Sequence, residues 1–139
     1  MPLICRTTVL LLLLTTVAFT ACGEEAEPDP HPPRAVEITA QDAGSTVSLA
    51  PDDEVVITLE SNLTTGFAWK LVTEPDPAVL ELVGSTYVAP DSDLVGAGGE
   101  EVWTFHAVGD GSTELELSYE RSSGETAGDP FTLGVDVAG

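Results

Sequence analysis

Glu54-Val55-Val56-Ile57-Thr58-Leu59-Glu60-Ser61-Asn62-Leu63-Thr64-Thr65-Gly66-Phe67-Ala68-Trp69-Lys70-Leu71-Val72 is the stretch on which the reading of this chain turns. Val55, Ile57 and Leu59 fall on one side of an extended chain and Thr58 and Glu60 on the other, the two-residue period of a half-buried strand. Phe67, Trp69 and Leu71 repeat the pattern, with Lys70 on the opposite face. The Asn, Thr and Gly residues between them predict a strand, a short loop and a returning strand. Two adjacent threonines are poor tight-turn residues, so Thr64 and Thr65 are expected to hold the tip extended. Gly66 lets the backbone turn or approach a partner closely. Such an uncharged tip, with hydroxyls and accessible main chain, suits contact with a protein groove and supplies no nucleophile with its base. An ordinary hairpin-like connection carries the same residue types, so the stretch by itself leaves both readings open.

Outward from it, strand follows strand. Ala35–Thr39 and Thr46–Leu49 alternate, and Ala50-Pro51-Asp52-Asp53 is a turn. Glu74-Pro75-Asp76-Pro77 breaks the strand that follows the threonines, Ala78–Val83 begins another, and Gly84–Val88 is expected as a short edge. A polar loop, Ala89–Gly99, leads to a strand with Trp103, Phe105 and Ala107 on one face. Leu115, Leu117 and Tyr119 then point inward against Glu114, Glu116 and Glu120 outward, and Phe131, Leu133, Val135 and Val137 close the pattern. Short strands at this spacing, separated by Gly, Pro and Asp turns, predict an all-β fold, an immunoglobulin-like antiparallel β-sandwich over residues 35–139. Phe67, Trp69, Trp103, Phe105, Tyr119 and Phe131 are expected to form an aromatic-rich centre.

In such a sandwich every second connection lies at the same end. The Asn62–Gly66, Pro90–Gly99 and Arg121–Asp129 loops are therefore expected to cluster as a binding edge. Two of them are uncharged at their centres and rich in Gly, Ser and Thr, which suits adaptable main-chain contacts.

Asn62-Leu63-Thr64-Thr65-Gly66-Phe67, with Trp69 beyond, resembles the Asn-Pro-Thr-Thr-Gly-aromatic signature of the chagasin-like inhibitors of papain-type cysteine peptidases, with Leu63 in place of proline. Gly96-Ala97-Gly98-Gly99 followed by Trp103 is similar to that family's second signature, and Tyr119-Glu120-Arg121 to the start of its third, Tyr-x-Arg-Pro-Trp. Ser122 and Ser123 stand where the third has proline and the aromatic. The resemblance implies a non-covalent, tight-binding inhibitor, not an enzyme, whose three loops enter the cleft of a papain-like cysteine peptidase. Its contacts would be Asn62, Leu63, Thr64, Thr65, Gly66, Phe67, Gly96, Gly98, Gly99 and Arg121, with Thr64, Thr65 and Gly66 over the catalytic cysteine.

The amino terminus speaks to compartment. Residues 1–21 join one basic residue, Arg6, to an apolar run at Val9–Leu14 and small residues before Cys22, a secretory signal pattern. Phe19-Thr20-Ala21-Cys22 resembles a bacterial lipobox, which implies a lipid on Cys22 and an exported, membrane-anchored lipoprotein of the bacterial cell envelope. Ordinary cleavage near Ala21 is the plainer alternative. Residues 22–34, acidic and proline-rich, are expected as an extended tether, and His31 is read as linker composition. At about 3.1 Å per residue a twelve-residue tether reaches on the order of 35 Å.

A net charge of −20, with only Arg34, Lys70 and Arg121 basic beyond the signal, disfavours nucleic-acid binding. Beyond Cys22 there is no thiol, hence no disulfide and no cysteine-based metal site. His106 is the single histidine of the 35–139 domain, and Asp91 and Asp93 read as solvated turn residues rather than calcium ligands. No catalytic residues, metal or cofactor are expected, and the chain is expected to be a monomer. The rival function is an immunoglobulin-like surface lipoprotein that binds an envelope or extracellular protein without inhibiting a peptidase.

Overall fold

The two-residue periods become eight strands in the computed structural model, which describes residues 32–139. The signal region 1–21, Cys22 and the tether as far as His31 lie outside the described residues. The strands are β1 (Ala35–Thr39), β2 (Ser45–Leu49), β3 (Glu54–Ser61), β4 (Phe67–Thr73), β5 (Leu80–Val88), β6 (Gly99–Ala107), β7 (Gly111–Arg121) and β8 (Phe131–Val137). They form two four-stranded sheets, in the orders β1-β3-β6-β5 and β2-β8-β7-β4. The inward faces are those the alternation marks. Val55, Ile57, Leu59, Phe105 and Ala107 of the first sheet and Leu115, Leu117, Leu133 and Val135 of the second are almost wholly shielded from water. The driving force is burial of these aliphatic faces, about 25 cal/mol per Å² of apolar surface.

Four features depart from the sequence expectation. β1 and β2 run parallel to their neighbours β3 and β8, whereas the other pairings are antiparallel. Parallel and antiparallel edges show the same side-chain alternation, so periodicity could not separate them. Gly84–Val88 is not a separate edge: β5 is continuous from Leu80, with a register shift between Leu82 and Gly84 that leaves Val83 exposed. The aromatics do not share one centre. Trp103, Phe105 and Phe131 are in the core, while Phe67, Trp69 and Tyr119 are half-buried at one pole. Finally, β3 and β4 belong to different sheets, so the threonine stretch is a sheet-to-sheet crossing and no hairpin.

The opposite pole is fixed by Asp53. Its buried carboxylate accepts hydrogen bonds from the Arg34 backbone N–H at 3.1 Å, from Arg34 Nε at 3.0 Å and from the Ala50 N–H at 3.0 Å. Charge-assisted bonds of this kind to a desolvated carboxylate are among the stronger polar contacts in a fold. Ala35 pairs with Glu54, at the beginning of β3, so the chain enters the domain at the pole away from the threonine loop.

Candidate functional site

At the pole where β3, β5 and β7 end, three loops meet. The first is organised by Asn62. Its Oδ1 accepts from the N–H of Thr64 at 3.1 Å and from the Thr64 hydroxyl, and its carbonyl accepts from the Thr65 N–H at 3.1 Å and the Thr65 hydroxyl at 2.7 Å. Leu63–Thr65 is therefore a single turn of 3-10 helix, N-capped by Asn62 and closed by Gly66 in the left-handed region at φ 80°. This corrects the extended tip expected from two adjacent threonines. Local side-chain-to-backbone bonds from Asn and Thr outweigh the weak extended preference of a β-branched residue. The threonine hydroxyls are consumed within the turn, and residues 63–66 stand exposed at its surface.

The neighbouring loops brace this turn. Asn62 Nδ2 donates to the carbonyl of Gly96 at 3.0 Å, tying the first loop to the β5–β6 loop. Arg121 Nε donates to the Thr65 carbonyl at 3.1 Å, tying it to the end of β7. The Arg121 guanidinium lies 4.4 Å from the centre of the Phe67 ring, and its Nη1 donates to Glu125 at 2.8 Å. Phe67 stacks on Tyr119 with ring centres 5.4 Å apart, and Trp69 lies on the same tyrosine at 5.1 Å. Phe67 and Arg121 thus support the turn from beneath. Cation–π and planar hydrogen-bonding geometry both favour arginine over lysine there.

The glycines divide similarly. Gly96 has φ 82° and is exposed, and a Cβ on Gly98 would make only ordinary contact with Asn62 at 3.6 Å. Gly99 is buried: a Cβ there would lie 2.2 Å from the Val88 carbonyl and 2.7 Å from the Tyr87 hydroxyl. Its residue type serves the β5–β6 pairing. The third loop folds back on itself, with Arg121 N–H bonded to the Glu125 carbonyl, Gly124 N–H to Arg121 and Ala127 N–H to Tyr119. Ser122 and Ser123 sit exposed in that tight return.

Two residues absent from the sequence reading complete the face. Leu94 is 77% exposed and Val95 fully so, beside Gly96 on the second loop, while Leu63 is 45% exposed on the first. Large aliphatics with no cover, at the end of an otherwise polar and acidic loop, are what an interface anchor requires. The available signal was an aliphatic pair inside a Gly- and Asp-rich loop, out of phase with any strand.

Among the described residues no group of three or more His, Cys, Asp or Glu side chains is placed to hold a metal. His106 lies outward on β6, 3.7 Å from Asp52, far along the strand from the loops. The pole offers main chain and aliphatic surface on a braced frame.

Comparison with known proteins agrees with the geometry. Residues 48–135 match the model of the chagasin family of peptidase inhibitors, family I42. Chagasin of Trypanosoma cruzi is similar to this chain at 35% identity over 88 residues, which is 61% of this chain and 80% of that protein. Among solved structures, the cysteine protease inhibitor EhICP2 of Entamoeba histolytica superposes with a TM-score of 0.67 at 22% identity, covering 76% of this chain and 96% of that one. The solution structure of amebosin superposes with a TM-score of 0.62 at 25% identity, covering 78% of this chain and the whole of that one.

Proposed function

Because the chain belongs to the chagasin family of peptidase inhibitors, we propose that its three-loop pole is the inhibitory surface and that its target is a papain-like cysteine peptidase. The protein is an inhibitor and not an enzyme. The observation that carries the choice of surface is the cross-bonding of the three loops. Asn62 reaches the second loop, Arg121 reaches the first, and the exposed turn Leu63–Gly66 is held between them.

A braced turn suits a non-covalent wedge. Blocking a peptidase without being cleaved requires main chain that occupies the cleft but is held away from the geometry of attack. Here the 3-10 turn keeps Thr64 and Thr65 out of the extended conformation that a substrate strand adopts in a cleft. Pre-ordering removes the entropy that a flexible loop loses on binding, about 0.5–1.5 kcal/mol for each immobilised side chain. Leu94, Val95 and Leu63 would supply the apolar anchors, in place of an aromatic on the third loop, where Ser122 and Ser123 stand.

The proposal extends to location: an exported protein held to a cell-envelope membrane by lipid on Cys22, the acidic tether 22–34 leading to the domain. It is supported by the leader pattern and by the entry of the chain at Arg34, away from the loops, which leaves the inhibitory pole facing outward. Mass spectrometry of the membrane-extracted protein, with Cys22→Ser as control, tests it. An unlipidated amino terminus refutes it.

The function is tested by titrating papain and a cathepsin-L-type peptidase with purified protein and with Thr65→Asp. Stoichiometric inhibition abolished by the substitution is expected, because a carboxylate would enter the cleft beside the catalytic thiolate. Inhibition that survives Thr65→Asp removes the first loop from the site. No inhibition at micromolar concentration favours the rival reading, a surface-binding lipoprotein with a serine-tipped third loop.

A further inference from the structure

A hairpin loop inherits its position from the ladder beneath it, whereas the first loop here joins two different sheets and has no such ladder. Something else must set the distance between its feet, Ser61 at the end of β3 and Trp69 in β4. The carboxylate of Glu101 spans them. Glu101 lies on the inward face of β6 with Trp103 and Phe105 and is only 8% exposed. One of its oxygens, Oε1, accepts from the buried Ser61 hydroxyl at 2.6 Å and from the backbone N–H of Trp69 at 3.1 Å. Trp69 is on the edge strand of the other sheet, so this N–H has no strand partner on that side. Two further bonds sew the same gap: Trp69 Nε1 to the Glu60 carbonyl at 2.9 Å, and Asn62 N–H to the Tyr119 hydroxyl at 2.8 Å.

We infer that Glu101 is a positioning residue for inhibition, a carboxylate that reaches no peptidase but fixes both feet of the turn through one oxygen. The inference rests on the proposed function of that turn. Three physical points support it. A carboxylate is costly to bury and is retained only where donors meet it. Both donors it meets flank the turn in sequence, eight residues apart, and they come from different sheets. Loss of the acceptor leaves a buried hydroxyl and a strand N–H unbonded at the base of the turn, which favours a shifted base over the native one.

The role asks for an acceptor atom rather than a charge. Glu101→Gln keeps an oxygen that can take both donors, so its inhibition constant is expected within about threefold of the parent, whereas Glu101→Leu, of similar volume, is expected to weaken inhibition about ten- to a hundredfold. The loss should lie chiefly in faster dissociation. Hydrogen exchange measured in the same proteins should show faster exchange at Thr65 and Gly66, whose N–H groups close the turn, with the β3–β6 amides little changed.

Leu133→Ala on β8 is the control, a core truncation remote from the turn that lowers melting temperature without moving its feet. It should leave the inhibition constant unchanged. Unaltered turn exchange and inhibition in Glu101→Leu, alongside a lowered melting temperature, would overturn the inference and leave Glu101 a purely structural residue. Glu101→Gln as damaging as Glu101→Leu would also overturn it. If the parent protein inhibits no papain-like peptidase, the proposed function fails, and the exchange comparison still decides whether Glu101 positions the turn.

Discussion

Replacing Asn62 with alanine separates the frame of the inhibitory turn from the rest of the fold. The backbone N–H of Asn62 keeps its bond to the Tyr119 hydroxyl, and its carbonyl still receives Thr65. What disappears is the side-chain oxygen that caps Thr64 and the amide that reaches the Gly96 carbonyl. All these groups are near water and can rehydrate, so the Thr64 cap, its N–H and hydroxyl bonds taken as one unit, and the bond to Gly96 each count for about 0.5–1.5 kcal/mol, and the cap and the bond together for about 1–3 kcal/mol. No buried apolar contact changes, so the loss falls on the equilibrium between the braced and unbraced loop. If only the braced form binds, the inhibition constant rises in proportion to its depletion, about 5- to 100-fold at 1.4 kcal/mol per decade. The melting temperature should fall by about 4–8 °C for each kcal/mol lost. Asn62→Asp retains the cap oxygen but loses the donor to Gly96, so it should lie between parent and alanine. The assay is titration of papain at several inhibitor concentrations, with calorimetry beside it. An unchanged inhibition constant for Asn62→Ala would mean that the Asn62 side chain does not hold the turn in its binding form, whatever happened to stability.

The other expected outcomes can be read in the same two assays. Gly99→Ala should destabilise by about 2–3 kcal/mol, because its Cβ meets the Val88 backbone carbonyl at 2.2 Å and strands must part, whereas Gly98→Ala should be nearly neutral. Arg121→Lys should weaken inhibition about tenfold, since a lysine cannot both donate to Thr65 and lie flat over Phe67; a neutral result would remove the brace. Leu94→Ser together with Val95→Ser should leave the melting temperature within about 2 °C while costing 2 kcal/mol or more, roughly thirtyfold, in affinity, and retained affinity would exclude the second loop as an anchor. Ser123→Trp should tighten inhibition by restoring an aromatic to the exposed third loop; no gain would mean that this loop does not touch the peptidase.

Period-two alternation was enough to place the inner faces. Val55, Ile57 and Leu59, Leu115 and Leu117, and the whole row Phe131 to Val137 needed no structure to be assigned, because a strand exposes alternate residues to one environment whatever its neighbour. Chain order and turn chemistry likewise brought the three loops to one pole, since sandwich connections alternate between ends. Glu101 shows where such reasoning stopped short. Its parity with Trp103 and Phe105 put it on the inner face, yet an acidic residue beside Glu100 reads as solvated until its donors are known.

Fold class, strand faces, the loop cluster and the family likeness were thus legible in residue order alone, because these depend on short-range periodicity and on residue types at fixed spacing. Packing set the rest: which strands run parallel, that β3 and β4 part into different sheets, that Thr64 and Thr65 curl into a turn, that Arg121 and Phe67 support it, and that Glu101 bonds to both Ser61 and Trp69. Each of these is a choice among hydrogen-bond partners, such as Ser61 with Glu101, forty positions apart, or Arg121 with Thr65, fifty-six apart. A polar group accepts whichever partner the packing of the apolar faces brings within about 3 Å, and no local pattern specifies which that will be.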